Sequence, residues 1–149
     1  MQMDSAGLEV LTREDSLKLL SSVPVGRIVF TDRALPAVLP VNFVLDDETI
    51  VFRTGAGSKL AAATREAIVA FEADSFHEPT ESGWSVTVVG PARRVEDPAE
   101  VARLEKLPLR SWVPVSPEHF VRIDIARVDG RRLLPQVDRQ RSLEGQDSR

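Results

Sequence analysis

Residues 52–60 read Phe52-Arg53-Thr54-Gly55-Ala56-Gly57-Ser58-Lys59-Leu60. An extended, β-branched run from Thr49 to Thr54 delivers a guanidinium and a hydroxyl into a glycine-rich turn. The Ala-rich stretch from Lys59 to Arg65 then has the make-up of a brief helix. Donors of the kind a phosphate needs are gathered here. Arg53 offers two parallel N–H groups, Lys59 a compact positive charge, and Thr54 and Ser58 hydroxyls, with amides near Ser58 at the positive end of the helix dipole. The spacing excludes the familiar nucleotide loops. The P-loop pattern Gly-x-x-x-x-Gly-Lys is missing, and the dinucleotide fingerprint needs Gly or Ala where Leu60 stands. The same residue types also make a solvated turn capped by Ser58, and residue type alone does not choose between the two.

On the N-terminal side, Thr12 caps an acidic first turn at Glu14-Asp15, and Leu17, Leu19 and Leu20 supply an apolar stripe, so a short helix is predicted up to Val23-Pro24. Val25 to Thr31 reads as a strand, Asp32 to Pro36 as a turn, and Ala37 to Leu45 as a second strand that Pro40 places at an edge or a bend. Asp46-Asp47 turns the chain into the Thr49–Thr54 strand. Downstream, Ala67 to Ala73 is a strand and Asp74 to Gly83 a polar loop. Trp84 to Val95 is a long strand with a bulge or bend at Gly90-Pro91. Asp97-Pro98 opens a helix to about Leu107, and His119 to Val128 forms a last strand. Six strands, short helices and no βα alternation predict a mainly β fold, an antiparallel barrel. Residues 1–11 are expected to form an N-terminal arm, 12–135 the barrel domain, and the polar residues 136–149 a disordered tail.

The totals narrow the function. A chain of 149 residues fits one domain. Net charge −4, 5% aromatic content and no Tyr argue against nucleic acid as a partner. The absence of Cys removes disulfides, thiolate nucleophiles and iron–sulfur ligation. No apolar run approaches a membrane span and no signal pattern opens the chain, so a cytoplasmic location without membrane contact is expected.

Strand, Arg-Thr-x-x-Gly-Ser-Lys-Leu, helix, strand resembles the phosphate segment of the pyridoxamine 5′-phosphate oxidase-like FMN-binding split-barrel family. Val25-Gly26-Arg27-Ile28-Val29-Phe30, Leu39-Pro40-Val41-Asn42-Phe43-Val44, Gly83-Trp84-Ser85-Val86 and Phe120-Val121-Arg122-Ile123 resemble its other strands in the same order, over about Thr12 to Leu134. The resemblance implies a six-stranded antiparallel split barrel, a homodimer, and FMN in a groove at the dimer interface. It implies that Arg53, Thr54, Ser58 and Lys59 bind the phosphate, that Val41 and Asn42 lie beside the isoalloxazine chiefly through their backbone, and that Trp84 sits near the cofactor from the same or the opposite protomer. The activity implied is hydride transfer through the flavin to or from a small molecule. Deazaflavin (F420) and haem are the alternative cofactors on the same barrel, and a non-catalytic carrier or sensor is the alternative role. No second basic cluster for a substrate phosphate stands out, which argues against pyridoxamine phosphate oxidation itself.

Other candidates have plainer readings. His77, beside Asp74, Glu78 and Glu81, lacks a second His at ligand spacing and reads as solvated, so no metal site is expected. His119 reads as a strand-end residue, Trp112 as packing or a lid over the groove, and Arg93-Arg94 and Arg131-Arg132 as solvated pairs whose members face opposite ways. Substrate specificity is expected from the segments Phe76 to Trp84 and Leu107 to His119. No side chain stands out as a catalytic acid or base.

Overall fold

The computed structural model of the chain describes residues 1–113 and 118–147. In chain order the elements are β1 (Gln2–Met3), β2 (Glu9–Val10), α1 (Arg13–Leu20), β3 (Val25–Asp32), β4 (Leu35–Asp46), β5 (Thr49–Gly55) and α2 (Lys59–Ala63). They continue with β6 (Ala67–His77), a 3-10 turn at Glu78–Thr80, β7 (Ser82–Arg94), α3 (Pro98–Leu104), β8 (Glu118–Asp124), β9 (Arg127–Leu133) and α4 (Gln136–Asp147). Strands β7-β6-β3-β4-β5-β8 pair antiparallel, and β8 returns to β7, closing a six-stranded barrel as expected. The other half of β7 pairs with β9, to which β2 and β1 are added.

Alternation along the strands fills the barrel. Ile28 and Phe30 of β3, Phe43 of β4, Ile50 and Phe52 of β5, Phe71 of β6, Val86 and Val88 of β7 and Val121 and Ile123 of β8 all point inward and are buried. Phe71 meets Phe43 edge-on with centroids 4.8 Å apart. Its ring also occupies the space a Cβ would need at Gly26, so that strand position takes no side chain. Leu20 of α1 and Leu60 of α2 pack against this cluster. Thr12 caps α1, its Oγ1 accepting from Asp15 N at 3.1 Å. A second cluster of Val51, Val95, Leu104, Leu109 and Phe120 lies outside the barrel beneath α3, so β5 is buried on both faces.

Several elements differ from the sequence expectation. Asp74 to Gly83 is not a loop: β6 runs to His77, β7 starts at Ser82, and Asp74↔Ser85 through His77↔Ser82 are paired, because a hairpin tip carries polar residues without losing its ladder. The Gly90-Pro91 pairing with Val69-Ile68 is uninterrupted; no extra residue is inserted. Here β7 passes from β9 to β8, and a Cβ at Gly90 would overlap the Asp124 carbonyl where the chain turns from β8 into β9. The expected last strand is accordingly two, β8 and β9, joined at Ile125-Ala126. α2 and α3 end at Ala63 and Leu104, shorter than expected. Residues 136–147, expected within a disordered tail, form α4; Glu, Gln, Arg and Leu are good helix formers behind Pro135. Arg139 of α4 donates to the Glu81 carbonyl at 2.9 Å, tying the helix to the β6–β7 hairpin.

On the outer face of β3 and β6, Arg27 Nη1 lies 3.2 Å from Asp74 Oδ2 and 3.7 Å from Glu72 Oε1. Glu72 Oε1 is buried with no hydrogen-bond partner among the described residues. Desolvation, reinforced by the Asp74 carboxylate, pushes the Glu72 carboxyl up to about 7. The folded state therefore holds a proton that the unfolded chain releases near pH 4.5, and stability from this group is full below that pH and is lost as pH rises through about 7. Glu72→Gln is expected to melt higher than wild type at pH 8 and to show a smaller fall in melting temperature between pH 5 and pH 8. Parallel pH curves of the two proteins would refute this.

Candidate functional site

Strands β4 and β5 pair from Asp46↔Thr49 to Phe43↔Phe52 and then part. Beyond that point β4 stays with β3 as far as Leu35, while β5 stays with β8 as far as Gly55↔Glu118. A cleft of about 560 Å³ opens at the fork. Pro40, which lacks a donor, sits on the stretch of β4 whose fork-side edge has no strand partner among the described residues, which accounts for its place in a long strand.

Val25, Leu39, Val41, Leu60 and Trp112 line the cleft with apolar surface, and Arg53, Thr54, Ser58 and Glu118 line it with polar groups. Five of the seven residues predicted as a cofactor site are thus brought together: Val41, Asn42, Arg53, Thr54 and Ser58. Arg53 stands on the outer face of β5, opposite Phe120, with its guanidinium 4.6 Å from that ring's centroid and Nη1 3.0 Å from Glu118 Oε2. Its Nε is buried without a partner among the described residues. Thr54 and Ser58 share a hydrogen bond of 3.0 Å between hydroxyls, and Ser58 Oγ also accepts from Ala61 N at 3.0 Å as the cap of α2.

The other two lie elsewhere. Lys59 Nζ is 4.0 Å from Asp32 Oδ2, and its exposed side chain borders a separate hollow beside the β3–β4 turn, because the residue after the cap points away from the fork. Trp84 is on β7 between Ser75 and Arg132, packed against the barrel core and not among the residues lining the cleft.

Some lining residues escape the sequence reading. Asn42 acts through its side chain as well, accepting the Trp112 backbone N–H at 2.8 Å and so holding the segment that brings Trp112 over the cleft. Residues 114–117 of that segment lie outside the described residues. Glu118 enters through the β5–β8 register, which no local motif announces. His119, opposite Thr54, and Arg94, opposite Val121, line two smaller hollows adjoining the cleft, so both are nearer the site than their plain readings suggest. Arg93 faces the other way, toward Glu100 at 3.8 Å. His77 is at the far hairpin, with Nδ1 3.0 Å from Thr80 Oγ1.

Comparison with known proteins agrees with this architecture. The sequence model of a family described as pyridoxamine 5′-phosphate oxidase matches residues 12–132. An uncharacterized protein of Mycobacterium tuberculosis is 40% identical over 129 residues, covering 83% of this chain and 84% of that one. The solved structure of the FAD binding protein from Mycobacterium smegmatis is 39% identical, covers 83% of this chain and 96% of its own, and superposes with a TM-score of 0.72. A FAD-binding protein from Mesorhizobium loti, 22% identical over 85% of this chain and 99% of its own, shares the fold with a TM-score of 0.71.

Proposed function

The chain belongs to the pyridoxamine 5′-phosphate oxidase family, and from that premise we propose that it is a flavin-binding oxidoreductase acting on a small molecule, with its cofactor in the cleft at the β4–β5 fork. The observation that carries the reading is the make-up of that cleft. One wall is apolar enough for a flat heteroaromatic ring, and the other end gathers the Arg53 guanidinium, with its orphaned Nε, and the Thr54 and Ser58 hydroxyls. A flat ring with an anionic tail fits both ends. The M. smegmatis relative, described as FAD binding, supports a flavin.

FMN is the cofactor proposed. Arg53, Thr54 and Ser58 would hold its phosphate, and the main chain of Val41 and Asn42, along the unpaired edge of β4, would lie beside the ring. A bound flavin supplies hydride transfer as its own chemistry. The protein's part is to bind and orient it and to keep water off one face, for which Leu39, Val41 and Trp112 are placed. Among the described residues the ionisable side chains of the cleft are Arg53 and Glu118, and they are paired with each other, so neither is assigned as a proton donor. The working unit is proposed to be a cytoplasmic homodimer, a second copy covering exposed apolar side chains such as Val38 and Ile68 on the outer barrel face.

The test is a parallel titration of the purified protein with FMN, FAD, deazaflavin F420 and haem, followed by fluorescence and visible absorbance. FMN is expected to bind most tightly. Preference for FAD or the deazaflavin would keep the site and change the electron carrier. Binding of haem alone, or of none of the four, would overturn the flavin reading.

A further inference from the structure

The guanidinium assigned to a phosphate is already holding an anion. Arg53 Nη1 and Glu118 Oε2 are 3.0 Å apart, with side chains 24% and 21% exposed, so the pair is only partly screened by solvent. Arg53 and Glu118 both line the fork cleft and also a second cavity of about 500 Å³ behind it, which adds Arg94, Val101 and Glu105. The ion pair is thus the partition between two spaces. A carboxylate and a phosphate ask for the same parallel donors of one guanidinium. Held close together, the two anions also repel, more strongly where water is partly excluded. Glu118 occupies one Nη1 donor and leaves Nε without a partner among the described residues, so a phosphate that reaches the guanidinium comes to lie beside the carboxylate, which has room to draw back into the second cavity, lined by Arg94 as well as Glu96 and Glu105.

We infer that Glu118 sets the affinity and selectivity of this anion site: it holds Arg53 over Phe120 when no ligand is bound, and its charge opposes a phosphate arriving on the remaining donors, which pushes it toward the second cavity. The inference rests on the flavin reading for the identity of the ligand, but not for the competition itself. A dianionic phosphate can outcompete a carboxylate, whereas a neutral ligand gains nothing from the exchange. Glu118 therefore lowers affinity for every phosphate ligand and leaves neutral flavin untouched.

The test compares wild type with Glu118→Gln, which keeps size and hydrogen-bonding capacity and removes the charge, in titrations with FMN and with riboflavin, which has the same ring and no phosphate. The variant is expected to bind FMN about ten-fold more tightly, with riboflavin changed less than about two-fold. Equal or weaker FMN binding by Glu118→Gln would overturn the inference, because Glu118 would then be positioning Arg53 rather than competing for it. Glu118→Ala, which removes the carboxylate altogether, checks that the gain follows the charge. Inorganic phosphate, scored by its stabilising effect on melting, separates the two readings. If no flavin binds but phosphate stabilises Glu118→Gln at lower concentration than wild type, the flavin reading fails and the role of Glu118 stands. If phosphate stabilises neither protein, or both equally, the role of Glu118 fails.

Discussion

Arg122→Ala is expected to destabilise the fold by about 3 kcal/mol, at the lower end of what removing one partner of a buried ion pair costs. Arg122 is 5% exposed on β8 and is shared by three partners from different elements. Its Nη1 donates to Asp46 Oδ2 at 2.8 Å and to Thr49 Oγ1, and its Nε and Nη2 reach Glu100 Oε1 of α3 at 3.0 and 2.8 Å. Arg103 adds two bonds to Asp46, at 3.0 and 2.7 Å, so α3 is tied to the β4–β5 turn and to β8 through one charged cluster. Among the described residues, truncation leaves Glu100 with only the distant Arg93 and Asp46 with one exposed partner, which is why the lower end of the range applies. The expected fall in melting temperature is about 6 to 12 °C for a chain of this size. Arg93→Ala, a neighbour on the cross-strand partner whose pairing is long and exposed, should cost less than about 0.5 kcal/mol. A cost for Arg122→Ala no greater than for Arg93→Ala would refute the cluster's role.

Acid gives a second view of the same cluster. Hydrogen bonds from Arg103 and then Arg122 outweigh desolvation and hold the Asp46 carboxyl down at about 2. Stability from that lowered value is complete above about pH 4 and is lost as pH falls toward 2, so wild type should destabilise steeply there and Arg122→Ala less steeply. Because α3 and its C-cap also supply Val101 and Glu105 to the second cavity, loosening the helix should alter ligand binding as well as melting.

How much of this was legible beforehand follows from the range of each interaction. Arg53, Thr54 and Ser58 are close in sequence and joined by a turn, so their convergence could be read from residue types and order. Lys59 could not be separated from them, since only the direction in which the helix leaves its cap shows that it faces Asp32. The barrel's closure depends on β7 changing partners at Gly90, a contact with the distant Asp124 carbonyl, and a lone Gly-Pro reads equally well as a bulge. The β8–β9 division was hidden because Val121, Ile123 and Ile125 keep their alternation up to the turn and the apolar Val128 follows close behind it. Glu118 was invisible for the same reason as Arg122: each is an ordinary charged residue in a strand until the register places it beside Arg53 or beneath α3.

Arg53→Ala is expected to weaken FMN binding by about 1.5 to 3 kcal/mol, the range for a hydrogen bond to a charged group, or roughly ten- to one-hundred-fold in Kd. The effect should depend on the phosphate. Riboflavin meets the same apolar wall of Leu39, Val41 and Trp112 but offers Arg53 no anion, so its affinity should change much less. Arg53→Lys should recover only part of the loss, because an ammonium keeps the charge without the parallel donors. Unchanged FMN affinity in Arg53→Ala would sink the phosphate assignment, and an equal loss for riboflavin would show that Arg53 acts by shaping the cleft over Phe120. The alanine variant alone mixes two effects, since it also frees the Glu118 carboxylate to repel the phosphate. The double variant Arg53→Ala/Glu118→Gln removes that repulsion, so it should bind FMN more tightly than Arg53→Ala yet less tightly than Glu118→Gln. The remaining gap between the double variant and Glu118→Gln measures the guanidinium's own attraction for the phosphate.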